Sequence, residues 1–539
     1  MNFGIARQSA ALACTALSLA LFPVLASPAS AKTLVYCSEA SPEGFDPALY
    51  SANSTWDASS KPVYNRLVEF QNGTTTVIPG LAESWTISDD KLTYTFKLRN
   101  NVKFHTTEYF TPSRDLNADD VIFSLQRQLD KTSPWHSYIT GVTWEMTTAM
   151  GLPDMVREIS KVDDKTVKIV LAAPSASVLA NLAMDFASIL SKEYADHLQA
   201  DGKMTQLNEL PVGTGPYQFV NYQQDSVIRF TANPDYWGGK QKIDDLIFSI
   251  TLDQTTRMQK LRAGECQVAS YPSPADVAVL KADSESKVLE QPGLNVAYLA
   301  YNTLVPPFNK PEVRKALNMA INKQAIVEAV FQGMGQVAKN PLPPAVWGYN
   351  DAVKDDPYDP EKAKSMLQAA GVSNLAMKIW AMPVSRPYMP NARRAAELIQ
   401  ADFAKVGVSV EIVSYEWGEY LKKARDKNRD GAVILGGTSD NGDPDNLLSF
   451  FFSCTSVGAS NYSNWCFQPL DTLLQKARQV SDQAERTKLY EEAQLIIKKE
   501  APIAALDHST VVMPMSKKVS GYVLDPLGSH RFDGVDLSE

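Results

Sequence analysis

The sequence predicts an α/β protein built on mixed sheets, and three observations carry that expectation. Its 539 residues exceed one compact core and call for two or three domains. Up to about residue 290, segments alternate apolar and polar side chains with period two, as half-buried strands do. Beyond Pro292-Gly293, long helical patterns alternate with strands, and residues 377–440 read β-α-β-α-β, the signature of a parallel sheet. Apolar content of 44% and charged content of 21% are those of a globular protein. A net charge of −9 argues against nucleic acid and anionic membranes as partners.

The first element is a targeting segment. Arg7 supplies its positive charge, residues 11–26 are apolar, and Ala29-Ser30-Ala31 places small residues at a cleavage site. This predicts a secretory signal removed after Ala31. A lipoprotein cut before Cys14 is the rival reading, and it would leave the most apolar stretch on the mature chain. No later run reaches the ~18 apolar residues of a membrane helix. Beyond the signal stand Cys37, Cys266, Cys454 and Cys466. An even number in an exported chain favours disulfides over zinc, for which C-x-x-C spacing is missing. Cys454 and Cys466 form the natural local pair, leaving Cys37 for Cys266. Three connectivities remain open.

Strands are expected at Thr93–Leu98 and Val167–Leu171, and helices at Ala118–Leu129 and Val313–Gln332. A helix at Asp359–Ala370 has Asp359 as N-cap, Pro360 at its first position and Gly371 as its stop. The β-α-β-α-β unit comprises Met377–Met382, Asn391–Lys405, Val408–Tyr415, Trp417–Asp426 and Ala432–Leu435. Right-handed crossovers bring its strand ends to one edge, where open α/β sheets bind ligands. Arg386 follows the first strand, Trp417 the second and Asp440 the third. A cation, an aromatic ring and an anion therefore converge on one rim. Arg386 and Asp440 either pair with each other, or they clamp a zwitterion. In the second case the guanidinium fork holds a carboxylate, Asp440 holds an ammonium, and their separation measures peptide length.

Asp440 lies in GGTSDNGDPDN, residues 436–446. The glycine and proline of that loop are misplaced for an EF-hand. Asp443 and Asp445 suit a turn and a helix start. The five histidines are scattered, and no H-E-x-x-H, G-x-S-x-G or phosphate loop is present. The Gly-Met-Gly at 333–335 follows a helix rather than a strand, against a dinucleotide site. No catalytic residue, metal or cofactor is assigned. The alternative of another class is an exported peptide hydrolase with a triad assembled from distant residues.

The landmarks LVYCSEASPEGFDPALY from Leu34, YNRLVEF from Tyr64, GLAESWTISDD from Gly80 and GTGPYQF from Gly213 carry a resemblance, as do RPYMPNARR from Arg386, YEWGEY from Tyr415 and DNGDPDN from Asp440. Over essentially the whole mature chain the sequence resembles the periplasmic dipeptide-binding proteins of Gram-negative ABC importers, within the oligopeptide/nickel solute-binding family. The resemblance implies a two-lobed periplasmic-binding-protein fold with mixed β-sheets and a hinge of two crossings, near Pro292 and residues 507–512. Lobe I would comprise 32–291, with an inserted strand-rich subdomain at about 64–213. Lobe II would comprise 292–509, and 510–539 would return to lobe I.

In the relatives, the residues matching Asp440 and Arg386 bind the peptide α-amino group and α-carboxylate. The resemblance adds Trp417, Tyr388, Gly436, Gly437 and Thr438 to the pocket, and Ser51, Asn53 and Ser54 from the first lobe. It implies the disulfides Cys37–Cys266 and Cys454–Cys466. It further implies a monomer in the periplasm without cofactor, whose partners are a short peptide, an inner-membrane ABC permease and, in some relatives, a chemoreceptor. Gly437 departs from the relatives, which carry a second pocket tryptophan there. Its loss opens space on the order of the 150–250 Å² an aromatic buries. A longer or decorated peptide, a peptide-like antibiotic, haem or a metal complex are the alternative cargoes, although no axial-ligand or chelator pattern supports the last two.

Overall fold

A computed structural model describes residues 31–141, 143–480 and 482–538, so the expected signal segment up to residue 30 lies outside the described residues. The molecule is two-lobed, and its lobes share one strand. Ile503–Ser516 is 14 residues long and belongs to two sheets. Its first part, up to Asp507, pairs antiparallel with Asn295–Tyr301, whereas Thr510–Ser516 pairs antiparallel with Ser286–Pro292. The chain therefore passes between the sheets at residues 293–294 and again within 507–510. The two passages are tied together. Gly293 N–H donates to the Ser509 carbonyl at 3.0 Å, and Ser509 N–H donates to Asn295 Oδ1 at 3.0 Å. Glycine is required at 293, because a Cβ there would stand 2.5 Å from the Ser509 carbonyl oxygen.

In the first lobe Thr33–Ser38 lies parallel to Asp245–Ile250 and to Val268–Ala269, and Val227–Ala232 and Tyr217–Gln223 extend that sheet antiparallel. A separate four-stranded antiparallel sheet holds Ala82–Ile87, Thr93–Leu98, Thr166–Leu171 and Val156–Asp163. Beside it runs the helix Ala118–Leu129, started by a capping box of Asn117 and Asp120.

The second lobe contains the expected parallel unit. Ala376–Trp380 lies between Ser409–Val413 and Ala432–Thr438, parallel to both. Asn295–Tyr301 closes on Ala432–Thr438 antiparallel and is buried at every position, as a strand covered on both faces must be. The crossover helix Ala392–Lys405 is capped by Asn391 and buries Ala392, Ala395, Ala396, Ile399 and Phe403, one stripe at helical spacing. Among the described residues no helix is long and apolar enough to cross a membrane.

One expected element is corrected. Val313–Gln332 is not a single helix: Pro311–Met319 ends, a new helix starts at Lys323, and Val327–Phe331 is a π-helical turn. Asn322 causes the break. Its side chain accepts the Ala325 N–H at 3.0 Å and its own N–H donates to Asp402 at 2.9 Å, so a local cap interrupts an apolar periodicity that continues across it. Both expected cysteine pairs are bonded, with Cα separations of 5.8 Å for Cys37–Cys266 and 4.6 Å for Cys454–Cys466.

Candidate functional site

Because Ala376–Trp380, Ser409–Val413 and Ala432–Thr438 run parallel, the segments carrying Arg386, Trp417 and Asp440 leave the same sheet edge. That edge faces Ser51, Asn53 and Tyr271 of the first lobe across a cavity of about 80 Å³. Tyr388, Gly436, Gly437 and Thr438 line the same cavity. Ser54 does not. It lies inside the short helix Asn53–Ala58, with its hydroxyl buried and without a hydrogen-bond partner among the described residues. Asn53 reaches the wall but is already committed, donating to the Gly528 carbonyl at 3.2 Å.

Arg386 is paired, although not with Asp440. Its Nη1 donates to the Glu39 carboxylate of the first lobe, and both side chains are buried. Its Nη2 is buried without a hydrogen-bond partner among the described residues. The guanidinium sits 4.8 Å from the Trp417 ring and 5.9 Å from that of Tyr271, within cation–π range. Burial opposes ionisation of Glu39, yet Arg386, with His530 and Arg257 behind it, holds its carboxyl below the usual range. Ser270 Oγ donates to its second oxygen at 2.9 Å.

Asp440 lines the same cavity and makes no ion pair among the described residues. Its Oδ2 accepts from Asn446 Nδ2 at 3.3 Å, and its N–H donates to Asn446 Oδ1 at 2.8 Å. Burial pushes its carboxyl up to about 7. Asp185 adds to the rise, while the Asn446 bond and Lys61 oppose it. Asn446 is fixed in the helix Pro444–Phe452, which Asp443 caps. Asp443 and Asp445 are the expected turn and helix-start residues, tied to Arg486 at 2.8 Å and Arg478 at 2.9 Å. Chemically, the cavity offers a carboxyl for a cation at Asp440 and an N–H donor for a ligand oxygen at Arg386 Nη2, and the rings of Trp417, Tyr388 and Tyr271 line it.

The space expected at Gly437 is already filled. A Cβ there would stand 2.6 Å from Phe451 Cζ, and the Phe451 ring packs edge-on against Tyr298 at 5.0 Å. The open indole-sized gap inferred from sequence is therefore corrected to a phenyl ring donated by the neighbouring helix. Sequence reasoning also missed Glu39, Tyr271 and Asn446. Only Asn446 had a local signal, six positions after Asp440 in the same motif.

Residues 76–459 match the bacterial extracellular solute-binding proteins, family 5 Middle. The dipeptide-binding protein of Escherichia coli (strain K12) is 54% identical over 523 residues, covering 97% of each chain. Heme-binding protein A of Haemophilus influenzae is 48% identical over 513 residues, covering 95% of this chain and 93% of its own. The crystal structure of the dipeptide binding protein from Pseudoalteromonas sp. SM9913 in complex with Met-Leu matches with a TM-score of 0.91 at 39% identity, covering 94% of this chain and 100% of that one. Two lobes sharing a strand, a walled cavity between them and sequence identity running the length of these relatives lead to one assignment: the chain belongs to the family 5 bacterial extracellular solute-binding proteins.

Proposed function

We propose that this protein captures short peptides, di- and tripeptides, between its lobes in the periplasm and delivers them as a monomer to an inner-membrane ABC permease. One observation carries the reading. A carboxylate that makes no ion pair and a guanidinium whose Nη2 makes no hydrogen bond, both among the described residues, line one cavity. Asp440 then holds the peptide α-ammonium and Arg386 Nη2 its α-carboxylate, while Trp417 and Tyr388 pack between. The peptide-binding names of the Escherichia coli and Pseudoalteromonas relatives support the same cargo. Closure is a hinge motion between lobe I (32–291 with 510–539) and lobe II (292–509), bending near Pro292 and 507–512. The signal is removed after Ala31. Glu39 limits the clamp by occupying Nη1, so the carboxylate is held at one nitrogen rather than by the full fork.

Native mass spectrometry of protein purified without refolding tests this. Retained peptide masses, displaced by added dipeptide, are expected, and turnover of the dipeptide would sink the reading. Haem is the second reading, favoured by the relative named heme-binding protein A. A Soret band retained through purification, with no peptide masses, would establish it instead.

A further inference from the structure

A second, wider cavity of about 780 Å³ opens beside the first. Trp417 lines both. Ala40 and Ser41, next to Glu39, and Pro383 and Val384, just before Arg386, place it at the Arg386 end. Ser51 of the inner cavity donates to Glu145 of the outer one at 2.6 Å, a second point where the walls are continuous.

The outer walls carry several acids, and all but one are satisfied. Glu145 is paired with Arg425 at 2.5 Å. Asp225 accepts from the Ser41 hydroxyl at 2.7 Å, Glu416 caps the Glu419 N–H at 3.1 Å, and Asp426 accepts the Asn428 N–H at 2.9 Å; these three are exposed to water. Glu43 differs. Its N–H donates to Thr55 Oγ1 at 2.9 Å, while its Oε1 is buried with no hydrogen-bond partner among the described residues. The nearby cation, Arg425, is engaged by Glu145, and Lys422 is exposed. A buried carboxylate oxygen left unbonded is unfavourable until a donor reaches it.

We propose that the outer cavity takes the side chain of the ligand's carboxyl-terminal residue and that Glu43 selects a cationic head there, so that dipeptides ending in Lys or Arg are the preferred cargo. This rests on the peptide reading above, with the α-carboxylate at Arg386. A lysine or arginine stem would lie along the Trp417 indole and place its charged head in the outer cavity, as amphipathic side chains do. The charge balance points the same way. Glu39 offsets Arg386 and Glu145 offsets Arg425, so the acids left on the two walls, Asp440, Glu43, Asp225, Glu416 and Asp426, stand against Lys422 alone and complement a ligand of net positive charge better than a neutral zwitterion.

Calorimetric titration at about pH 7.5 with Ala-Lys, Ala-norleucine and Ala-Glu tests the subsite, since norleucine keeps the stem and lacks the ammonium. The readout is the ratio of dissociation constants within each protein. Wild type is expected to favour Ala-Lys over Ala-norleucine about tenfold and to bind Ala-Glu least. In Glu43→Gln the Lys preference is expected to fall to about onefold. Equal binding of Ala-Lys and Ala-norleucine by wild type, or a Lys preference that survives in Glu43→Gln, overturns the subsite and leaves the peptide reading standing. Absence of binding by all three overturns both.

Discussion

Glu39 and Arg386 stand 347 positions apart in the chain and form a buried ion pair that joins one lobe to the other. Removing one partner of a buried pair usually costs about 3–5 kcal/mol, because the other charge stays buried alone. Here the stranded charge has an escape, since separating the lobes returns Arg386 to water. The penalty therefore falls on closure rather than on folding. Glu39→Gln is expected to raise the radius of gyration of the unliganded protein in small-angle scattering, with a melting midpoint shifted by no more than about 2 °C. A fallen midpoint with unchanged dimensions would assign the pair to folding instead.

Asp440 makes peptide binding pH-dependent. Its carboxyl lies near 7 under the combined action of burial and Asp185, against Asn446 and Lys61. An α-ammonium ligand favours the ionised form, so binding near pH 7 should release part of a proton, and affinity should rise from pH 6 to 7.5. Above about 8 the ligand amine itself deprotonates and affinity falls. Titrations in two buffers of different ionisation enthalpy read the proton directly. Asp440→Asn should abolish the release and weaken binding about 30-fold or more.

Stability moves the opposite way. The unfolded carboxyl ionises near its ordinary value of 3.8 and the folded one near 7, so the group increasingly disfavours the folded state as pH rises between these values. Asp440→Asn should therefore raise the melting midpoint of the unliganded protein at pH 8, by about 1–4 kcal/mol in stability, and leave it unchanged at pH 4. A variant destabilised at pH 8 would mean that the carboxylate is satisfied in the fold.

The rim of Arg386, Trp417 and Asp440 was legible because it follows from local periodicity and one topological rule. Strand spacing places the residues, and parallel order puts them on one edge. Glu39, Tyr271 and Phe451 were not legible for the converse reason. Each reaches the site from an element whose approach no periodicity encodes. The Asn322 cap was hidden inside a helical apolar pattern, and the space at Gly437 was misread because the ring that fills it belongs to the following helix.

Gly437 and Phe451 should behave as a coupled pair. With Phe451 Cζ standing 2.6 Å from the position of an added Cβ, Gly437→Ala forces the ring aside and disturbs its edge contact with Tyr298. Overpacking of this kind typically costs about 1–3 kcal/mol. Phe451→Leu, harmful alone through lost packing, should relieve much of that cost in the double variant. A double-mutant cycle on urea midpoints measures the coupling, expected at about 0.5–3 kcal/mol, and simple additivity would mean that the ring swings away freely.

The two disulfides should contribute unequally. Cys454–Cys466 spans 12 positions and Cys37–Cys266 spans 229. On loop-closure entropy alone, these constrain the unfolded chain by about 3 and about 5 kcal/mol. Cys37 also lies two residues before Glu39, so the long-range bond anchors the strand end that presents Glu39 to Arg386. Cys37→Ala/Cys266→Ala should therefore lower both the unfolding midpoint and peptide affinity, whereas Cys454→Ala/Cys466→Ala should lower the midpoint less and leave affinity within about twofold. Equal losses of affinity in the two double variants would show that the position of Glu39 does not depend on its neighbouring disulfide.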